Sequence, residues 1–274
     1  MISSPLRYPG GKGRMYQFVK NLITENGFED LIYAEPFSGG FGIGIKLLTS
    51  GDIKKVIIND FDKHIYAFWV SVFKYSKRLT KLIEKTPIDL ENWKIQKEIY
   101  NTYKGKSLVK KGFAAFYLNR TNFSGVITGG PLGGLDQKSK YNLGCRMNKQ
   151  QLIKQIKELA RYKDFVEIYN YDAIKFMSKI VLPNQKNIFM NLDPPYVIKG
   201  AELYKNFYEY KDHIKLAKFI KDNLKEAYWM VTYDDCDLIR KLYNEFDLQE
   251  YTLTHMAGKS KVGKELLIKN YNIK

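Results

Sequence analysis

The chain has 274 residues, 45% of them hydrophobic, and a formal net charge of +16. That length suits one large domain, or a domain carrying an insertion, around a full core. No apolar run reaches the roughly 18 residues of a membrane span, and the first residues, "MISSPLRYPGGKG", hold no apolar signal core. Cys145 and Cys236 are too few and too far apart for a disulfide framework or a zinc site. His64, His213 and His255 lack metal-ligand spacing. A soluble, cytoplasmic, metal-free protein is expected.

In chain order, "LIYAEPF" (31–37) is a short apolar strand ending at a proline, and "GGFGIGIKLLTSG" (39–51) is a glycine turn leading into a helix. "KKVIIND" (54–60) is continuous and β-branched, as in a buried parallel strand. Residues 62–85 carry apolar side chains at helical spacing and predict one long helix. Strand–helix alternation then stops. Residues 71–160 read as a mainly helical insertion, with "ENWKIQKEIYNTY", "GFAAFYLNR", the glycine-rich "SGVITGGPLGGLDQKSKYNLGCRMN" and a closing amphipathic helix, "KQQLIKQIKELARY". Alternation resumes with "FVEIYNY" (165–171), the helix "DAIKFMSKIV", "NIFMNLD" (187–193), a helix over 211–227 and "YWMVTY" (228–233). A short helix follows, and "LQEYTLT" and "KELLIKNY" close the chain as an antiparallel hairpin. The pattern predicts a mostly parallel sheet covered on both faces, built from residues 1–70 and 161–274.

Charge is not spread evenly. Residues 71–160 hold 18 Lys and Arg against 6 Asp and Glu, a net +12. Such clustering predicts a polyanion partner, most often nucleic acid. Lysine dominates it and suits phosphates better than bidentate base reading.

Ligands of such sheets bind at the carboxyl ends of the strands. After the first strand, Gly39 and Gly40 let backbone approach a ligand closely. Asp60 ends the second strand 21 residues beyond Gly39, the separation at which an acid accepts from ribose hydroxyls. The turn is not the G-x-G-x-x-G of dinucleotide sites, and Glu35 beside it opposes a pyrophosphate. An acid there suits a cationic ligand, which favours the sulfonium and ammonium of S-adenosylmethionine over NAD.

"NLDPPYV" (191–197) raises a second question: why a carboxylate, a rigid proline pair and an aromatic ring end a buried strand. Asp193 accepts one hydrogen of an exocyclic amine and the Pro194 carbonyl the other, while Pro194 and Pro195 fix the backbone so that the two acceptors converge. Tyr196 supplies a ring on which a flat base stacks. The arrangement suits methylation of an amino group on a planar heterocycle without a metal or a covalent intermediate.

"DPPY", "YPGGK" (8–12), "EPFSGG" (35–40), "INDFD" (58–62), "FYLNRTNFSG" (116–125) and "KELLIKNY" (264–271) together resemble the Dam-like DNA adenine-N6 methyltransferase family (D12 class), in the order of its motifs. The resemblance implies a Rossmann-like S-adenosylmethionine-dependent sheet, with 71–160 as an inserted target-recognition subdomain that binds double-stranded DNA. It implies a donor site of Tyr8, Gly11, Lys12, Glu35, Phe37, Gly39, Gly40, Asp60, Asp172 and Asp193, and catalysis by Asp193, Pro194, Pro195 and Tyr196. It implies DNA contacts by Asn119, Arg120, Asn122, Phe123, Ser124 and Arg146, with Phe123 wedging between bases. No membrane association is expected, and a monomer or weak dimer is. Restriction–modification is one setting among several, and the lysine-heavy composition points to a microbial or phage genome.

The sequence also departs from that family. Phe41 fills a turn position that is often small. Against the N-R-x-x-Y-N-G-x-x-R of the enzymes that read GATC, Ser124 replaces an Asn and Thr128 an Arg. Loss of that arginine removes the commonest guanine reader and predicts another target. The alternatives are an RNA adenine methyltransferase, a protein amide methyltransferase (whose N-P-P-Y the acid at 193 opposes) and a DNA-binding regulator without catalysis.

Overall fold

The computed structural model describes residues 1–7, 12–28, 30–198, 208–255, 261–270 and 273. Its centre is a seven-stranded sheet in the order β3-β2-β1-β4-β5-β7-β6. The strands are β1 (Ile32–Glu35), β2 (Val56–Asn59), β3 (Val166–Tyr169), β4 (Ile188–Leu192), β5 (Tyr228–Asp234), β6 (Asp247–His255) and β7 (Lys261–Lys269). Strands β1 to β5 run parallel, and β7 is antiparallel to both β5 and β6. All residues of β2 and β4 are buried, which is why their sequences are apolar without alternation apart from Asn59 and Asn191. The expected terminal hairpin inserts its second strand between β5 and its first.

The helices are α1 (Tyr16–Glu25), α2 (Gly42–Thr49), α3 (Lys63–Lys74), α4 (Ser76–Lys85), α5 (Leu90–Thr102), α6 (Leu108–Thr121), α7 (Lys149–Leu159), α8 (Ala173–Phe176, continued by a π-turn to Val181), α9 (Tyr210–Asn223) and α10 (Asp237–Leu242). Polar side chains cap several of them. Asp62, Asp89, Ser107 and Asn148 accept from backbone N–H groups at the starts of α3, α5, α6 and α7. The single helix expected over 62–85 is instead two. Tyr75, at φ −132° and ψ 31°, leaves the helical region and turns the chain between α3 and α4.

One apolar cluster packs α1, α2, α3, α6 and α7 on one face of the sheet, and a second packs α8, α9 and α10 on the other. The inserted helices share the first cluster with the sheet. A Cβ on Gly112 of α6 would lie 2.6 Å from the Ala67 carbonyl of α3, so the two backbones touch. Beside that contact, Phe68 and Phe116 stack at 5.5 Å. Helix α6 is thereby held closely against α3.

Strands β1, β2 and β3 step one way from the centre, and β4 and β5 step the other. The reversal between β1 and β4 brings the residues after Glu35 and after Leu192 to one crevice, where ligands of open α/β sheets bind.

Candidate active site and nucleic-acid face

A cavity of about 610 Å³ opens at that crevice, within the range of small-molecule sites. Glu35, Phe37, Gly39, Gly40, Asp60, Asp172 and Asp193, all proposed from sequence, line it together with Lys12. Tyr8 and Gly11 lie outside the described residues. The described lining carries six carboxylates and three cationic side chains, the reverse of a chain with 45 basic and 29 acidic residues. A cationic ligand fits that field.

The glycine turn is shaped by the strand ends around it. Gly39 adopts a φ of +42°, and its N–H donates to Asp60 Oδ2 at 2.8 Å. Asp60 Oδ1 accepts from the Asp62 N–H at 2.9 Å, so this acid braces the turn as well as facing the cavity. Burial, and then the neighbouring Asp62, push the Asp60 carboxyl up to about 7. Phe41 also takes a left-handed backbone conformation, at φ +48°. Its ring packs edge-on to Trp69 and covers Gly44, where a Cβ would collide with it. The bulky residue at the turn is thus accommodated by a glycine one helical turn on.

Glu35 is buried at the cavity wall. Its Oε1 accepts from the Tyr33 hydroxyl at 3.0 Å and from the Gly44 N–H at 3.2 Å. Burial nonetheless lifts its carboxyl to about 8. Asp172 caps α8 through the N–H groups of Ile174 and Lys175. Phe37 meets the ring of Tyr208 edge-on at 5.8 Å.

At the end of β4, Asp193 Oδ1 accepts from Thr232 Oγ1 at 2.8 Å and from Lys12 Nζ at 3.0 Å. The Lys12 ammonium also lies 3.4 Å from Glu265 Oε2, 4.8 Å from the Tyr196 ring centroid and on the Tyr196 hydroxyl. That hydroxyl donates to Glu265 Oε2 at 2.7 Å, and the Tyr251 hydroxyl donates to the same oxygen. Asp234 accepts from the N–H groups of Val197 and Ile198 at 2.9 and 2.7 Å, pinning the chain after the proline pair. Asp193, Pro195 and Lys12 therefore face the cavity, while Tyr196 stands behind them in a polar network with Glu265 and Tyr251.

A model of the D12 class N6 adenine-specific DNA methyltransferases matches residues 8–256. The chain belongs to that family. It is 24% identical, over an alignment of 305 positions, to the type II methyltransferase M.MjaIII of Methanocaldococcus jannaschii, covering 97% of this chain and 98% of that one. Among solved structures, an S-adenosylmethionine-dependent methyltransferase from Agrobacterium tumefaciens aligns at a TM-score of 0.41 and 10% identity, covering 93% of this chain and 60% of that one.

On the side of this methyltransferase expected to meet DNA, Asn119 and Asn122 are fully buried and their amides face their own chain. The Asn119 amide donates to the carbonyls of Arg7 and Gly125 and accepts from the Arg7 N–H, each within 2.9 Å. The Asn122 amide accepts from the Trp93 indole at 2.6 Å and donates to the carbonyls of Val126, Ile127 and Gly129. A buried amide is retained only when its donors and acceptors are matched, and here both amides hold the loop in shape. That loop presents Phe123 at 60% exposure and puts Ser124 in the left-handed region at φ +53°. Arg146 is exposed and Arg120 half-buried.

Sequence reasoning missed several residues of this site. Arg7 joins Arg120 and Arg146 in a cluster of three guanidinium groups. Burial, then Arg7 and Arg146, lower the Arg120 guanidinium to about 10. Arg7 Nη1 and Arg120 Nε are buried with no hydrogen-bond partner among the described residues. Asn59 ties the Pro36 carbonyl to the Tyr171 backbone, and Asn191 donates to the Tyr33 hydroxyl at 2.9 Å. The signal for Asn59, Asn191 and Thr232 was a polar side chain inside an otherwise apolar strand. The described residues hold no group of three or more His, Cys, Asp or Glu arranged for a metal ion, and no helix long and apolar enough to cross a membrane.

Proposed function

We propose that this D12-class enzyme methylates the exocyclic N6 amine of an adenine flipped out of duplex DNA, at a sequence other than GATC. The observation that carries the reading is Asp193, at the end of β4, set between the acidic cavity and the Lys12–Tyr196 network. Six carboxylates line the cavity, and the buried Asn191 Oδ1 has no hydrogen-bond partner among the described residues, a donor set suited to a polar cation. Glu35, Phe37, Gly39, Gly40, Asp60 and Asp172 would hold S-adenosylmethionine, which supplies an electrophilic methyl group. Asp193 and the Pro194 carbonyl accept the two hydrogens of the amine and leave its lone pair toward the cavity, so catalysis is largely positioning. Pro194 and Pro195 keep the two acceptors in register.

Residues 71–160 act as the target-recognition region. Lysines over that stretch, with Arg7, Arg120 and Arg146, neutralise phosphates. Phe123 fills space in the base stack when the adenine leaves it, which offsets part of the few kcal/mol that flipping costs. Ser124 and Thr128 contribute to the altered target. The test is transfer of tritiated methyl to unmethylated duplex DNA and, separately, to RNA, followed by long-read sequencing of DNA from expressing cells. N6-methyladenine at one recurring site is expected, and methylated GATC or labelled RNA alone would overturn the reading.

A further inference from the structure

Lys12 stands where the substrate amine has to go. Its ammonium lies 3.0 Å from Asp193 Oδ1 and 4.8 Å from the centroid of the Tyr196 ring. On the proposed reading Asp193 is the acceptor for the adenine amine. The Lys12 side chain is 5% exposed, so it has little water to retreat into, and a buried ammonium separated from its counter-charge is strongly disfavoured. A second carboxylate is already within reach. Glu265 Oε2 lies 3.4 Å from Lys12 Nζ, with a side chain 2% exposed. The Tyr196 and Tyr251 hydroxyls hold that same oxygen in place.

We infer that Glu265 is a positioning residue that takes the Lys12 ammonium off Asp193 when an amine enters the site. This rests on the reading that Asp193 receives the adenine amine. The residue sits on β7, whose neighbour β5 carries Thr232 directly opposite Leu267 and Asp234 opposite Glu265. The sheet thus fixes the second carboxylate relative to the first. Two acids sharing one lysine let its charge move a short distance without ever being unpaired. The Tyr196 hydroxyl, which touches both Lys12 and Glu265, couples the move to the ring. With Glu265 neutralised, Lys12 keeps Asp193 as its counter-ion and competes with the incoming amine.

The test is a double-mutant cycle on single-turnover methyl transfer to unmethylated plasmid DNA, with enzyme and donor in excess. Glu265→Gln keeps the size and the acceptor oxygen but removes the charge, and is expected to slow transfer about tenfold. Its donor affinity and thermal midpoint should stay near those of the unaltered chain. Glu265→Asp, which keeps the charge, is expected to stay within about threefold, and it takes the place of the glutamine variant if that melts early. Adding Glu265→Gln to Lys12→Met should slow transfer less than about twofold beyond Lys12→Met alone, because no ammonium remains to be parked. Losses that multiply, or Glu265→Asp as slow as Glu265→Gln, would overturn the proposal while leaving the adenine reading intact. Absence of transfer to DNA by the unaltered chain would overturn both.

Discussion

The crevice after β1 and β4 and the loop after α6 are both rich in polar side chains, yet they use them in opposite ways. At the crevice, Glu35, Asp60 and Asp193 keep oxygens on a cavity, and two of these acids are lifted toward neutrality by burial. In the loop, Asn119 and Asn122 turn inward and spend their amides on carbonyls of their own chain. What the loop offers outward is the ring of Phe123. A polar residue in a motif is therefore no guide to a contact until the location of its backbone partners is known. Strand ends expose side chains to a cleft because the sheet already satisfies the backbone. A tight loop must recruit side chains to satisfy its own backbone.

The largest effect that sharpens this contrast is expected at Asp193. Asp193→Ala should cut methyl transfer by at least about 10²–10³-fold, the scale of losing one fixed electrostatic anchor. The thermal midpoint should survive, and near-normal turnover would contradict the role. Asn122→Ala should behave the other way round. Removing an amide that serves Trp93 and three carbonyls should cost about 2–3 kcal/mol of folding stability, read by denaturant unfolding. A stable Asn122→Ala protein with a selective loss of DNA affinity would break the comparison.

A smaller effect is expected at the arginines. Arg120→Gln should weaken binding to all duplexes alike and lower the slope of log affinity against log salt by about one. A change confined to one target sequence would make Arg120 a base reader instead.

The smallest effects concern protons at the crevice. The Glu35 carboxyl stands at about 8 and the Asp60 carboxyl at about 7 in the folded chain, above the 4.5 and 3.8 usual for these groups. Between those values the folded chain holds protons that the unfolded chain has released. Stability of the ligand-free protein should therefore fall as pH rises from about 5 to 8. A cationic donor favours the ionised acids, so its affinity should rise over the same range, with release of roughly one to two protons near pH 6.5. Calorimetric titration in two buffers of different ionisation enthalpy measures that number, and proton uptake on binding would exclude the assignment.

Much of the crevice is legible in the sequence. The apolar runs ending in Glu35, Asp60 and Asp193 placed acids at the carboxyl ends of parallel strands, but that β1 lies beside β4 came only from the fold. The kink at Tyr75 was not legible, because apolar spacing runs through it unbroken from α3 into α4. Burial of Asn119 and Asn122 was not legible either, since their partners are backbone carbonyls that look alike in every sequence. Glu265 lay in a recognised motif, but its role depends on β7 inserting beside β5, a pairing between residues more than 30 positions apart.

By itself, then, the chain determined its chemistry and its family. Strand periodicity, the acid at each strand end, the Asp-Pro-Pro-Tyr turn and the basic insertion are local properties, written in neighbouring residues and readable one segment at a time. The tertiary structure decided which polar groups meet. It gathered Lys12, Asp193 with Tyr196, and Glu265 from three separate segments, and it brought Arg7 to Arg120 and Arg146. Charge–charge and hydrogen-bond energies depend on distances of a few ångströms, and only packing of the whole chain sets distances between groups so far apart in sequence.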